Sequence, residues 1–288
     1  MKIGIMCICM AGVVLSFPLA AMDWPVRDAS LARNFGWNDR GRPVLGNVFE
    51  GEGEVQAAGA GELIFYNSGA YAAGRLPSPL GVWCAVDHGD GIVSIYSRLE
   101  QDSQPPPDKI PQGAVIGAAG ISGWSEKRGL YFMLFDRRER RWVNPSMIIS
   151  PFSDTRPPQI TAVELRDSRG FPVSASGLRS LAQGRYTIIV NAFDTMLSPQ
   201  DKPLAPYRII SSINGTEVGS LDFETICARD GRLMVSRSGL VPLALIYAPY
   251  PAFEAGETLL SRGQANLEVI VQDIMGNSRS ALIRMHVE

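Results

Sequence analysis

The feature that most constrains the fold of this 288-residue chain is a two-residue alternation of apolar side chains. It runs from Val82 to Val86, is interrupted by the sequence Asp87-His-Gly-Asp-Gly91, and resumes from Ile92 to Leu99. Side chains on a strand point to opposite faces in turn, whereas those on a helix repeat every 3.6 residues. The segment therefore predicts a β-hairpin closed by a Gly-rich turn.

The same alternation recurs along the chain and predicts an all-β protein. One instance follows the hairpin at residues 130–134, and three more lie in the second half, at residues 186–191, 267–271 and 283–287. Short strands bounded by Gly, Asn and Asp favour a β-sandwich for that half. Residues 184–194 and 269–277 also resemble the strand-and-turn signatures of bacterial immunoglobulin-like modules. This second resemblance implies a fold and carries no chemistry.

The N-terminus has the pattern of a secretory signal peptide. Residues 1–21 begin with Met1-Lys2, continue as an apolar run and end in small residues, so we expect cleavage near Ala20 or Ala21. The run is short for a membrane span and is interrupted by glycine, serine and proline. No later run approaches the length of a span. We therefore predict an exported protein, periplasmic or extracellular, with no transmembrane segment in the mature chain.

A change in composition at residues 151–158 predicts a linker. Three prolines in these eight residues favour a stiff, extended connection. We predict a first domain at residues 22–150 and a second domain at residues 159–288. Apolar residues make up 45% of the chain, enough for two packed cores, and the net charge of −2 gives no reason to expect nucleic acid as a partner.

Several spaced elements of the first domain occur in the order found in one peptidase family. They are Gly53–Phe65, the hairpin at residues 81–99, the sequence Gly-Ala-Val-Ile-Gly at 113–117 and the strand-like segment at 129–136. Together they resemble the core of the LytM/lysostaphin-type zinc endopeptidases, which cut peptidoglycan cross-bridges. The resemblance covers residues 35–148. It implies the antiparallel β-sheet of that family, the duplicated hybrid motif.

The zinc-binding residues of that family are missing from the matching positions. The family's ligands are the His and Asp of a His-x-x-x-Asp motif and the second His of His-x-His. The first His of His-x-His and the His of Tyr-x-His-Leu assist the chemistry. The first window, Arg42 to Val48, contains neither His nor Asp. Arg98 stands in the Tyr-x-His-Leu position, Gly129 and Tyr131 stand in the His-x-His positions, and Met133 stands in the acidic position after them.

The number of histidines supports this interpretation without any alignment. The chain contains two, His88 and His286, whereas the family's mechanism uses four. A catalytic zinc needs about three protein ligands, so we expect no zinc and no other cofactor. We place His286 on the outward face of the last strand and His88 in the Gly-rich turn. Asp87, His88 and Asp90 could bind a cation weakly, although such residues are also usual in turns.

Other catalytic patterns give no stronger candidate. The sequence has no Gly-x-Ser-x-Gly elbow, phosphate-binding loop or dinucleotide fingerprint. A glycosidase with a pair of catalytic carboxylates stays an open alternative, because any two acidic residues of the sequence can lie close together in the folded protein.

Five residues are therefore the candidates for a converted binding groove: Arg98, Gly129, Tyr131, Met133 and Trp124. Arg98 would place a fixed positive charge where the resemblance implies zinc. It could bind a carboxylate, such as a peptide C-terminus or a meso-diaminopimelate side chain, through two parallel hydrogen bonds. It could instead pair with a nearby acid or point to solvent. Trp124 could line the groove or belong to the core.

Two cysteines, Cys84 and Cys227, remain after the predicted signal peptide. Each lies in an apolar, strand-like stretch, which favours buried free thiols, and a disulfide between the domains is the alternative.

The leading functional hypothesis is an exported, non-catalytic LytM-like protein of the cell envelope. It would bind peptidoglycan peptide or, as the resemblance to degenerate family members implies, a cell-wall amidase. One alternative is a peptidoglycan hydrolase with an unorthodox site. Another is a structural envelope protein that uses the fold for interaction alone.

Overall fold

The computed structural model describes residues 21–27, 29–39, 41–69, 76–196, 202–248 and 251–288. These residues form 24 β-strands, two short 3₁₀ helices at Pro145–Met147 and Leu243–Leu245, and no α-helix. The prediction of an all-β protein is confirmed. The predicted signal peptide, apart from Ala21, lies outside the described residues. No helix in the described part of the chain has the length and hydrophobicity needed to cross a membrane.

The region before the linker contains twelve strands within the described residues. They are β1 Ser30–Arg33, β2 Asn38–Asp39, β3 Arg42–Pro43, β4 Asn47–Glu50, β5 Glu54–Gln56, β6 Gly61–Asn67, β7 Val82–Asp87, β8 Ile92–Leu99, β9 Lys109–Ile110, β10 Val115–Ala118, β11 Gly129–Asp136 and β12 Arg141–Val143. The predicted hairpin is β7 and β8. Its turn forms because the Asp87 and Asp90 carboxylates accept hydrogen bonds from the backbone N–H groups of Gly89 and Ile92, each at 2.9 Å.

Strand β11 organises the sheet of this region. Along one edge it pairs with β8, from Tyr131 opposite Ser97 to Asp136 opposite Ile92. Along its other edge, its first half pairs with β4 and its second half pairs with β12. The alternating apolar residues of these strands bury one face in a core that includes Phe49, Tyr96, Leu99, Leu130, Phe132 and Leu134.

The region after the linker also contains twelve described strands. They are β13 Gln159–Asp167, β14 Pro172–Ser174, β15 Ser180–Leu181, β16 Gly184–Thr195, β17 Pro203–Leu204, β18 Arg208–Ile213, β19 Thr216–Arg229, β20 Arg232–Arg237, β21 Leu240–Pro242, β22 Ala252–Leu260, β23 Gly263–Gln272 and β24 Ser278–Val287. One sheet has the order β14-β13-β16, with both β17 and β22 pairing with β16, and the other contains β15-β24-β23-β18-β19. Both sheets contribute to one core, and the immunoglobulin-like assignment stays a prediction.

Strand pairing joins the two regions. β12 pairs with β19, with Arg141 opposite Cys227 and Val143 opposite Thr225, so one sheet continues across the junction. The side chain of Asn34 adds two hydrogen bonds to the backbone of Ala205, at 2.7 and 2.8 Å. Residues from before the linker, among them Phe35 and Trp37, also pack in the core of the second region. The domain limits at residues 151–158 stay a prediction.

Both cysteines are free thiols, as predicted. Cys84 is fully buried in β7, and burial raises the pKa of its thiol to about 12. A thiol with so high a pKa stays protonated and unreactive. Cys227 is half-buried, less than the sequence suggested, and lies in β19 between Arg141 of β12 and Met234 of β20.

An ion-pair cluster spans the junction at Glu50. The Glu50 carboxylate lies 2.6 Å from Lys202 Nζ and 3.2 Å from Lys127 Nζ. Burial acts to raise the pKa of Glu50, but the hydrogen bonds and charges of Lys202 and Lys127 outweigh it and hold this pKa below its ordinary value. The cluster therefore favours the folded state when Glu50 is ionised.

We expect the free energy of unfolding to fall as the pH drops below the ordinary glutamate pKa of about 4.3, because the unfolded chain then binds a proton more readily than the folded one. Glu50→Gln should remove part of this dependence and cost up to about 1 kcal/mol at neutral pH. Urea denaturation between pH 3 and 7 measures both. The control is Glu217→Gln, at an exposed position of β19. Identical pH profiles for the Glu50 variant and the unmodified protein would contradict this role.

Candidate functional site

Arg98 lies in a β-bulge at the end of β8. Strand β7 pairs Val82 with Leu99 and Trp83 with Ser97, so Arg98 has no residue opposite it. Its backbone φ of 66° falls in the left-handed region that few non-glycine residues adopt. The backbone is fixed there, because Arg98 N–H donates to the Leu80 carbonyl at 2.9 Å and its carbonyl accepts from Gly120 N–H at 2.8 Å. Bulges redirect side chains and are frequent beside functional sites.

The redirected Arg98 side chain lies over the ring of Tyr131. The guanidinium carbon is 5.3 Å from the ring centre, which is a cation–π contact. The Tyr131 hydroxyl accepts a hydrogen bond from Leu45 N–H at 2.8 Å. Burial raises the pKa of Tyr131 to about 12, although the Leu45 hydrogen bond and the Arg98 charge act in the opposite direction. The phenol is therefore neutral at physiological pH.

The position of Gly129 admits no side chain. A Cβ atom there would lie 2.0 Å from the Phe49 carbonyl oxygen, because β4 runs against the start of β11. The family resemblance assigns this position to the first His of His-x-His, and the backbone of β4 closes it. Met133, in the expected acidic position, is buried, and its side chain lies against Gly46.

Trp124 stands on the surface loop between β10 and β11. It is 64% exposed, and the guanidinium carbon of Arg42 lies 5.4 Å from its ring centre. Ser122 fixes the loop, because its hydroxyl donates to the Leu99 carbonyl at 2.6 Å and accepts from Val82 N–H at 3.0 Å. In the sequence, Arg42 is notable only as the first residue of a window that lacks metal ligands. The contact between Arg42 and Trp124 was not predicted, and the sequence signal for it is limited to the presence of an arginine in that window.

Backbone contacts link the two arginine–aromatic pairs. Trp124 N–H donates to the Pro79 carbonyl at 3.0 Å, and Arg98 N–H donates to the carbonyl of the next residue, Leu80, at 2.9 Å. Arg42 contacts Trp124, and Leu45, three residues after Arg42, donates to the Tyr131 hydroxyl. We call Arg42, Trp124, Arg98 and Tyr131 the arginine–aromatic patch. It offers cationic groups for a carboxylate and an exposed indole for apolar contact.

The Gly-rich turn uses its polar side chains internally. His88 Nδ1 lies 2.7 Å from the Ala60 carbonyl, and its Nε2 lies 2.8 Å from Ser94 Oγ. Asp87 forms an ion pair with Arg137 in addition to its turn hydrogen bond. These contacts favour the turn interpretation over a cation site at Asp87, His88 and Asp90. His286 is exposed on β24.

Comparisons with known proteins add structural neighbours. A protein-family model matches residues 157–288. No curated protein matches the chain. A chain of the SpoIIQ–SpoIIIAH pore forming complex is similar at 21% identity over 44% of this chain and 90% of that chain, with a TM-score of 0.36. The catalytic domain of a mutant of the prophage-encoded M23 protein EnpA from Enterococcus faecalis is similar at 18% identity, over 44% and 96%, with a TM-score of 0.36.

The catalytic domain of the antimicrobial peptidase lysostaphin from Staphylococcus simulans is also similar, at 19% identity over 38% of this chain and 78% of that chain, with a TM-score of 0.30. M23 and LytM-type domains are thus among the structural neighbours, at low identity. Similarity of fold does not decide activity, which depends on the residues at the site.

We expect Gly129→Ala to destabilise the fold by about 2 kcal/mol or more, because the new methyl group meets the Phe49 carbonyl and β4 must move. Thermal and urea denaturation measure the loss. Gly117→Ala is the matched control in β10, where a Cβ meets nothing nearer than 3.3 Å. Equal stability of the two variants would show that the position has room for a side chain.

Proposed function

We propose that this chain is an exported, non-catalytic LytM-like protein of the cell envelope that binds a carboxylate-bearing peptide of peptidoglycan at the arginine–aromatic patch. The observation that supports the proposal most directly is Arg98, a half-buried cation held in a left-handed bulge and stacked on Tyr131. A residue kept in an unfavourable backbone region invites a functional explanation.

The chemistry of the patch suits a carboxylate. Guanidinium groups stay charged at all physiological pH values and can bind a carboxylate through two parallel hydrogen bonds. Tyr131 restricts the motion of Arg98, so less side-chain entropy is lost on binding. Peptidoglycan peptides carry C-terminal carboxylates, and the Trp124 ring could cover an apolar part of the same peptide.

Three features of the site support binding without hydrolysis. Gly129, which stands where the family has the first, assisting His of His-x-His, leaves no room for a side chain. Tyr131 presents a neutral phenol that is already bonded to Leu45, and Arg98 is a cation. Catalytic zinc takes His, Asp, Glu or Cys ligands, and Tyr131, which stands at the matched ligand position among these three residues, is none of them. We therefore propose that the zinc site is lost and that the protein needs no cofactor.

A protein partner is the second candidate, and the exposure of Trp124 favours it. Tryptophan and arginine are enriched among the residues that dominate protein–protein interfaces. By the family resemblance, the partner would be a cell-wall amidase. No contact of the described residues favours a hydrolase with an unorthodox site or a purely structural role.

The test is binding to purified peptidoglycan by co-sedimentation and to a soluble stem peptide by calorimetry. Arg98→Gly should weaken both by about tenfold or more, because a charge-assisted contact is lost. Glycine accepts a positive φ, so this variant should keep the fold. The matched control is Arg140→Gly in the β11–β12 turn, an exposed arginine with a φ of 54°. It should bind normally.

A stem peptide with an amidated C-terminus separates the carboxylate from the rest of the ligand. The amidated peptide should bind the unmodified protein as weakly as the peptide with a C-terminal carboxylate binds the Arg98→Gly variant. Normal peptidoglycan binding by folded Arg98→Gly would overturn the role of Arg98. Absence of peptidoglycan binding, together with Arg98-dependent binding of a purified amidase, would favour the protein partner.

A further inference from the structure

Three buried carboxylates meet at the junction between the two regions. They belong to Asp154 in the linker, Asp194 near the end of β16, and Asp273 just after β23. One oxygen from each lies within 4.8 Å of the others. The residues are 7%, 8% and 3% exposed, respectively. Burying like charges together is unfavourable unless a proton or a cation compensates them.

A second observation concerns Asp154 alone. Its Oδ2 atom is buried and accepts no hydrogen bond from the described residues, while its Oδ1 atom accepts one from Arg156 N–H at 3.0 Å. Buried carboxylate oxygens nearly always have a partner. Asp154 lines a cavity together with Asp194 and Asp273. Asp154 therefore offers this cavity a buried carboxylate oxygen to which none of the described residues donates.

The cavity has suitable size and lining. Its volume is about 40 Å³, which exceeds the space that a single water needs, about 10–15 Å³. The described residues that line it include no lysine, arginine or histidine. The described lining residues therefore supply no positive charge to balance the three carboxylates.

Asn277 holds two of the acidic segments together. Its side-chain amide donates to Asp273 Oδ2 at 2.7 Å and to the Asp154 backbone carbonyl at 3.1 Å. Its backbone N–H donates to Asp273 Oδ1 at 2.8 Å. These neutral donors orient the oxygens and leave their charge uncompensated. The Asp273 carboxylate and the Asp154 backbone are thus held in place by neutral groups.

We propose that Asp154, Asp194 and Asp273 bind one calcium ion that fastens the linker to the ends of β16 and β23. An all-oxygen set with carboxylates suits a hard cation, and calcium accepts irregular arrangements of six to eight oxygens completed by water. Magnesium demands a near-ideal octahedron, and zinc takes nitrogen and sulfur ligands more readily. The site is separate from the arginine–aromatic patch and does not depend on the proposed peptidoglycan binding.

The test uses the full chain after removal of metals with a chelator. Calorimetric titration should show one calcium per chain, and saturating calcium should raise the melting temperature by several degrees. Extracellular calcium modules bind with Kd values of about 10⁻⁴–10⁻³ M, so the titration extends to about 10 mM. Magnesium should bind more weakly.

Asp194→Asn and Asp273→Asn should each weaken calcium binding by about tenfold or more and abolish the rise in melting temperature. Asp194→Asn should melt no lower than the metal-free unmodified protein, because it removes like-charge repulsion. Asp230→Asn is the control for the same chemical change in an exposed turn and should bind calcium normally. Absence of saturable binding at about 10 mM calcium would overturn the proposal. So would an Asp194→Asn variant that responds to calcium as the unmodified protein does.

Discussion

Strand β11 makes the contacts on which the rest of the structure depends. It pairs with β8 along one edge and with β4 and β12 along the other. The approach of β4 is so close that neither Gly129 nor Gly46 has room for a Cβ atom. The same strand leads to β12, whose pairing with β19 carries the sheet into the second region. One strand therefore positions the candidate site and connects the two halves of the molecule.

The packing around β11 also explains what kind of chemistry the site can support. The backbone of Phe49 occupies the space that a side chain at Gly129 would need, and the bulge at Arg98 brings a guanidinium onto Tyr131. A cation and a neutral phenol suit recognition of an anion better than binding of a metal. The proposed function rests on these anion-binding groups.

Local patterns in the sequence predicted the strands well. In the hairpin of β7 and β8, strand β8 has the predicted limits, Ile92–Leu99. Alternating apolar residues and the sequence Asp-His-Gly-Asp-Gly specify a strand and a turn without help from distant residues. The absence of histidines from the expected positions could also be read directly from the sequence. The lack of space for a side chain at Gly129 could not, because it depends on the register of β4 against β11.

Contacts between distant segments were beyond sequence reasoning for the same physical reason. The pairing of β12 with β19, the contact between Arg42 and Trp124, and the cluster of Asp154, Asp194 and Asp273 all join segments far apart in the chain. Each aspartate follows an unremarkable strand or linker sequence, and only the fold brings the three together. Calcium at this junction would act on the same connection that β12 and β19 make.

The central claim is that the site binds peptidoglycan and does not cut it. The most direct measurement incubates the purified protein with peptidoglycan and added zinc, and follows both sedimentation of the protein and release of soluble fragments. Our account predicts that the protein sediments with intact peptidoglycan, that no fragments are released, and that Arg98→Gly stays in the supernatant. Zinc-dependent release of fragments that a chelator abolishes would contradict it.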